Sequence, residues 1–123
     1  LFVSGLIQSA QQSIELWDHY IDASVLMLLS KRKPTVSASV YLKKISPALR
    51  IDIERHHAQY DEIHFEISTN LHDRFLLIDN KQLFHIGASL KDLEKRCFAF
   101  SALNDTLIPE FRKNILSACM KSQ

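Results

Sequence analysis

The stretch Leu71-His-Asp-Arg-Phe-Leu-Leu-Ile-Asp79 decides how this chain is read, because it joins a strand-like apolar run to three polar residues, His72, Arg74 and Asp79, in the order H-x-R-x4-D. Side chains alternate between the faces of a strand, so His72 and Arg74, two residues apart, project to the same side. An imidazole beside a fixed cation suits a phosphate ester: one group attacks phosphorus or moves a proton, and the other holds the non-bridging oxygens. Asp79 lies an odd number of residues further on and cannot share that face along one straight strand. It acts after a turn or it serves the structure.

The run Phe75 to Ile78 is followed by the turn residues Asp79-Asn80-Lys81 and by a second apolar run, Leu83 to Ile86, that ends at Gly87-Ala88-Ser89. This pattern predicts a β-hairpin that brings Gly87 and Ser89 back beside His72.

With these residues in place, the chain resembles the phospholipase D superfamily, whose signature is H-x-K-x4-D followed at a similar distance by a glycine and a serine. The stretch His85-Ile-Gly-Ala-Ser-Leu-Lys-Asp-Leu93, with Phe98-Ala-Phe-Ser101 after it, is closer still to phospholipase D-like domains of bacterial proteins. The resemblance runs from about Gln8 to Leu103. Arg74 stands where the family has lysine, which keeps the charge but replaces a compact ammonium by a planar fork. Ala88 separates Gly87 from Ser89, where the family commonly has the two adjacent.

The resemblance implies a metal-independent phosphodiesterase without cofactor, with His72, Arg74 and Asp79 as its catalytic residues, in which His72 forms a phosphohistidine and Arg74, Ser89 and Lys91 hold the phosphate. Family members assemble the site from two copies of the motif and this chain supplies one, so a homodimer joining two His72 residues is expected, or a second motif in flanking sequence. The expected substrate is a phosphodiester of DNA or RNA rather than a lipid. Two non-catalytic alternatives stand beside it: a phosphate or nucleic-acid binding module, and a dimerisation or sensor domain of a larger bacterial regulator or defence protein.

The remaining composition agrees with one domain. At 123 residues, 46% hydrophobic and 24% charged, the chain can bury a core, and two glycines and three prolines leave little room for linkers. The opening Leu1-Phe-Val-Ser-Gly lacks an initiator methionine and reads as a domain, 1–123, cut from a longer protein. No apolar stretch reaches membrane-spanning length. A net charge of +1 neither requires nor excludes a local cationic groove. Lys31-Arg-Lys33, with Lys43, Lys44 and Arg50, reads as a solvated helix end or as a phosphate-backbone contact. Cys97 and Cys119 fit no metal spacing and no disulfide framework, which points to reduced thiols in the cytoplasm.

Periodicity gives helical spacing at Leu6, Ala10, Ile14 and Trp17 that passes into a short strand around Ile14 to His19, a helix from Ala23 to Arg32, and a strand from Val36 to Leu42. A helix opened by Ser46-Pro47 runs to about Tyr60. Extended runs follow at Glu62 to Ile67, His72 to Ile78, Leu83 to Gly87 and Arg96 to Ser101, then a closing helix from Thr106 to Met120. The expected fold class is α/β, a mixed sheet with helices on both faces.

Other polar residues have two readings each. Asp18 is a turn or capping aspartate, or a functional group at a strand end. His85 faces the pocket or is satisfied by a backbone carbonyl. Lys91 and Asp92 line a phosphate site or form a surface ion pair, and Glu94 orients an imidazole or is a solvated loop residue. His56, His57, Asp61 and His64 read as exposed, with His56 and His57 adjacent rather than spaced for a metal.

Overall fold

The computed structural model describes residues 2–71, 73–86, 100–103, 108–109 and 112–113. The elements in chain order are α1 (Phe2–Ser9), β1 (Ser13–Trp17), α2 (Ala23–Leu29), β2 (Ser37–Leu42), α3 (Pro47–Gln59), β3 (Ile63–Ile67), β4 (Arg74–Ile78), β5 (Gln82–Ile86) and β6 (Phe100–Leu103). The sheet has the order β3-β2-β1-β4-β5-β6. β1, β2 and β3 are parallel, whereas β4, β5 and β6 are added antiparallel.

Capping chemistry fixes two helix starts. Asp22 accepts from Ser24 N–H at 3.0 Å ahead of α2, and Ser46 Oγ accepts from Leu49 N–H at 3.1 Å ahead of α3, with Pro47 at the first position. Parallel strands need crossover helices, and α2 and α3 serve that purpose. Together with α1 they cover one face, where Ile7, Val25, Leu29 and Leu49 pack on Leu16, Val40, Leu76 and Ile78. On the other face Trp17, Leu71, Leu77 and Leu83 gather with Ile108, which belongs to a helical stretch. Arg112, also helical, pairs with Glu15 of β1 and donates to Asn80 at 2.6 Å. Helical residues thus lie on both faces of a mixed α/β sheet, as the alternation of periods predicts.

The hairpin between β4 and β5 forms at the expected residues. Asp79 and Asn80 take φ of 55° and 57°, a left-handed conformation that short polar side chains tolerate, and Lys81 N–H donates to Ile78 O at 3.0 Å. The strand expected at Arg96 to Ser101 is placed at Phe100–Leu103 in its described part.

Two readings of the basic and histidine-rich segments are corrected. Arg32 is not part of a solvated helix end: it is 8% exposed, and its Nη1 donates to Leu29 O at 2.9 Å and to His56 Nε2 at 3.1 Å. Its Nη2 donates to Asp61 O. The guanidinium therefore fills the space where α2 and α3 end and bridges Leu29 O of α2 to Asp61 O just past α3. His56 is likewise buried, at 7% exposure, because it is the acceptor for that cation. Burial, then the charge of Arg32, then His57 push its imidazole down to about 4, which keeps it neutral and able to accept. His57 accepts from Ile63 N–H at 3.0 Å, so it is a structural partner of β3 rather than a free surface residue.

Candidate functional site

The strand order creates the site. β1 has its parallel neighbour β2 on one side and its antiparallel neighbour β4 on the other, so the end of β1 and the start of β4 meet at the edge of the sheet where the parallel strands finish. Open α/β sheets place their functional groups at such a switch in strand order. The β1–β4 register pairs Ile14 with Ile78 and Trp17 with Phe75; continued by one residue, it sets Asp18 opposite Arg74.

These two side chains form an ion pair. Arg74 Nε donates to Asp18 Oδ1 at 3.0 Å; the Asp18 side chain is fully buried and that of Arg74 is 28% exposed. Asp18 is therefore neither a turn residue nor a cap; the capping aspartate is Asp22. Its backbone is also fixed, since Asp18 N–H donates to Tyr41 O at 3.0 Å and Lys43 N–H to His19 O at 3.0 Å, which ties the loops after β1 and β2 together. Ser68, which follows β3 and bonds through its N–H to Leu42 O, is 1% exposed, and its hydroxyl has no hydrogen-bond partner among the described residues. The pair holds a planar cation at a partly open edge with one nitrogen engaged, an arrangement that presets the fork for an oxyanion.

Asp79 is brought elsewhere. It follows the opposite end of β4, on the order of 17 Å along the strand from Arg74 at the usual rise per residue. Its carboxylate accepts from the N–H groups of Gln11 and Ser13 at 3.0 Å and of Gln12 at 2.7 Å. Partial burial works to raise the Asp79 carboxyl, but those three N–H groups, with Lys81 nearby, outweigh it and hold it below the ordinary aspartate range. Asp79 thus anchors the hairpin to the start of β1, the structural half of the two roles its spacing allows.

His85 does not join Arg74 either. It pairs across the hairpin with Phe75, whereas Arg74 pairs with Ile86, so the two point to opposite faces. The His85 ring lies 5.1 Å from that of Phe75 and its Nε2 is 3.7 Å from Asp73 Oδ1. His72, Gly87, Ser89, Lys91, Asp92 and Glu94, like Cys97 and Cys119, lie outside the described residues.

A cavity of about 320 Å³ is lined by Ser30, Arg32, Lys33, Pro34, Gln59, Tyr60 and Asp61. It sits at the ends of α2 and α3 and does not include Arg74. No group of three or more His, Cys, Asp or Glu side chains suited to a metal occurs among the described residues, and none of their helices is long and apolar enough to cross a membrane. The residue that the sequence reading missed is Arg32. Its signal was position alone, three residues beyond Leu29 at the end of an apolar helix.

Fold and site together define a mixed α/β domain with a cation held at the switch in strand order. The chain is similar to NucT from Helicobacter pylori, with a TM-score of 0.64 and 11% identity over 98% of this chain and 86% of that one. It is similar also to TrmBL2, an archaeal chromatin protein whose structure shows a novel mode of DNA binding, with a TM-score of 0.64 and 15% identity over 99% of this chain. The chain spans about half of TrmBL2, 48% of its length. No family model and no curated protein sequence matches.

Proposed function

We propose that this chain acts on phosphodiesters of DNA or RNA as a phospholipase D-type nuclease, with its site at the carboxyl edge of the parallel strands. The observation that carries this reading is the Asp18–Arg74 pair, a cation positioned by a buried carboxylate at the switch in strand order. The fold-level likeness to the nuclease NucT and to the DNA-binding chromatin protein TrmBL2 supports a nucleic-acid-related role.

In this reading Arg74, with Ser89 and Lys91, holds the non-bridging oxygens while a neutral His72 attacks phosphorus. The P–O bond to the leaving nucleoside breaks, and the leaving oxygen takes its proton from a second, protonated imidazole. Water then attacks the phosphohistidine, giving up a proton to that second imidazole as the P–N bond breaks, and both groups return to their starting states. Two such histidines are needed, and a cytoplasmic homodimer bringing His72 of both copies together supplies them.

One observation favours a second reading, a nucleic-acid binding module without turnover: part of the Arg74 guanidinium is already engaged by Asp18, in place of the family's compact lysine. Hydrolysis of bis-p-nitrophenyl phosphate and of DNA in excess chelator separates the two. Turnover that His72→Ala abolishes supports the nuclease. Salt-dependent DNA binding without cleavage, weakened by Arg74→Ala, supports the binding module. Equal turnover in wild type and His72→Ala, with no change of DNA affinity in Arg74→Ala, refutes both.

A further inference from the structure

Among the described residues β3 is an outer strand, paired with β2 alone. Ser68 N–H donates to Leu42 O of β2 at 2.8 Å, so the even-numbered residues of this run turn their backbone groups inward and Ile63, Phe65 and Ile67 turn theirs to the open edge. The bond from Ile63 N–H to His57 Nε2 has the same phase: an imidazole from α3 lies over the edge and accepts its first outward amide. On the side-chain faces, Ile63 and Phe65 pack toward the helices. His64 and Glu66 share the other face, 61% and 33% exposed, with His64 Nε2 3.4 Å from Glu66 Oε1. Ile67, at the far end, is 42% exposed.

We propose that the β3 edge is a self-pairing surface on which a second copy of this chain docks antiparallel about Phe65, with His57 as a latch over one end. Three features select a second copy in this register. Both backbone groups of Phe65 face outward, so two copies centred there exchange both bonds as a hydrogen-bonded pair. The same register sets His64 against Glu66 of the second copy, and Glu66 against its His64, a reciprocal imidazole–carboxylate match on one face. It also sets Ile63 against the exposed Ile67 of the second copy. Moving the centre to Ile63 would place the axis on the amide that His57 occupies, which excludes that alternative. The bonds at Phe65 form with the latch closed; those between Ile63 and Ile67 form once the His57 ring turns aside.

A guarded edge of this kind reconciles two demands, since an open outer strand invites indiscriminate pairing and a blocked one pairs with nothing. The twofold axis at Phe65 turns the carboxyl edge of the second copy the opposite way. The contact is therefore distinct from the paired-site dimer proposed above, and neither requires the other.

Sedimentation equilibrium of the intact chain and its variants tests the proposal. Glu66→Lys weakens association tenfold or more, and adding His64→Glu to it restores the reciprocal match and the association. His57→Ala strengthens association about tenfold, equivalent to about 1.4 kcal/mol. In a Cys97→Ser, Cys119→Ser background, a mixture of His64→Cys and Glu66→Cys chains cross-links on oxidation whereas neither alone does, because opposed residues of a non-bonded antiparallel pair lie within disulfide reach. A monomer at all concentrations with no mixed cross-link overturns the proposal. A dimer dissolved by Arg74→Ala but indifferent to Glu66→Lys also overturns it, while leaving the paired-site reading intact.

Discussion

Arg74 and Arg32 are both withdrawn from water by this fold, and the contrast between them separates what the chain uses for its site from what it uses for its frame. Arg32 is 8% exposed and its guanidinium is taken up by two carbonyls and the His56 ring, with the charge of Asp61 nearby, so that it ties the end of α2 to the segment after α3. Arg74 has a fully buried carboxylate behind it and remains 28% exposed in front. A cation enclosed by acceptors has little left to offer a ligand. One held from behind by its counter-charge is oriented yet still accessible, which is the condition for binding an oxyanion.

The sharpest way to break this comparison is at Asp18–Arg74. Arg74→Ala strips the guanidinium from a carboxylate with no access to water, and breaking a buried pair from one side costs about 3–5 kcal/mol. The double variant Asp18→Asn, Arg74→Met removes the charge from both sides and recovers most of that loss while binding no DNA through this edge. Urea denaturation of the four members of the cycle checks both expectations. A near-zero coupling between the two positions would show that Asp18 does not hold Arg74 in solution.

Arg32 and His56 give the next largest effect, and here it depends on pH. Unfolded, His56 titrates near 6.5; folded, near 4. Between those values the unfolded chain takes up a proton that the folded chain refuses. The contribution is therefore complete above about pH 6.5 and falls by roughly 3 kcal/mol as the pH drops through the folded value. Denaturant midpoints measured from pH 7 to pH 4 follow this slope in the wild type and lose part of it in His56→Gln. Arg32→Met raises the His56 titration midpoint, read by NMR, because it removes one of the charges that depress it, and destabilises by about 2 kcal/mol because Asp61 O and His56 Nε2 lose their donor, whereas Leu29 O keeps the backbone N–H of residue 32.

How much of this contrast could be read in the sequence follows from the kind of interaction involved. Local chemistry was legible: Ser46-Pro47 as a helix start, Asp79-Asn80 as a turn, and the apolar run Phe75 to Ile78 as a strand all rest on neighbours in the chain. The pairing of Asp18 with Arg74 was not, because it depends on β4 inserting beside β1 rather than beside β3, and 55 residues lie between the two partners. Arg32 was misread for a related reason. A cation at a helix end is solvated when that end is on the surface, and only the packing of α3 against α2 brings the end of a second helix over it. Asp79 was left between two roles because odd spacing along a strand states which face a residue avoids but not what waits beyond the turn.

The smallest expected effect lies at that anchor and sharpens the comparison by adding a carboxylate with no cationic partner of the Arg74 kind. Asp79 is bound by three backbone N–H groups, so Asp79→Asn keeps the left-handed turn but weakens its acceptor, at a cost of about 1 kcal/mol for a half-buried group. Because its folded titration lies below the unfolded value near 3.8, its contribution is present above that pH and is lost as the pH falls through the folded value. Acid unfolding monitored by circular dichroism between pH 5 and pH 2 resolves this limb from the His56 limb above it. Asp79→Asn flattens the lower limb alone and leaves DNA affinity at neutral pH unchanged. If instead it weakens binding as strongly as Arg74→Ala does, the two ends of β4 are coupled, and the division between frame and site drawn along that strand is wrong.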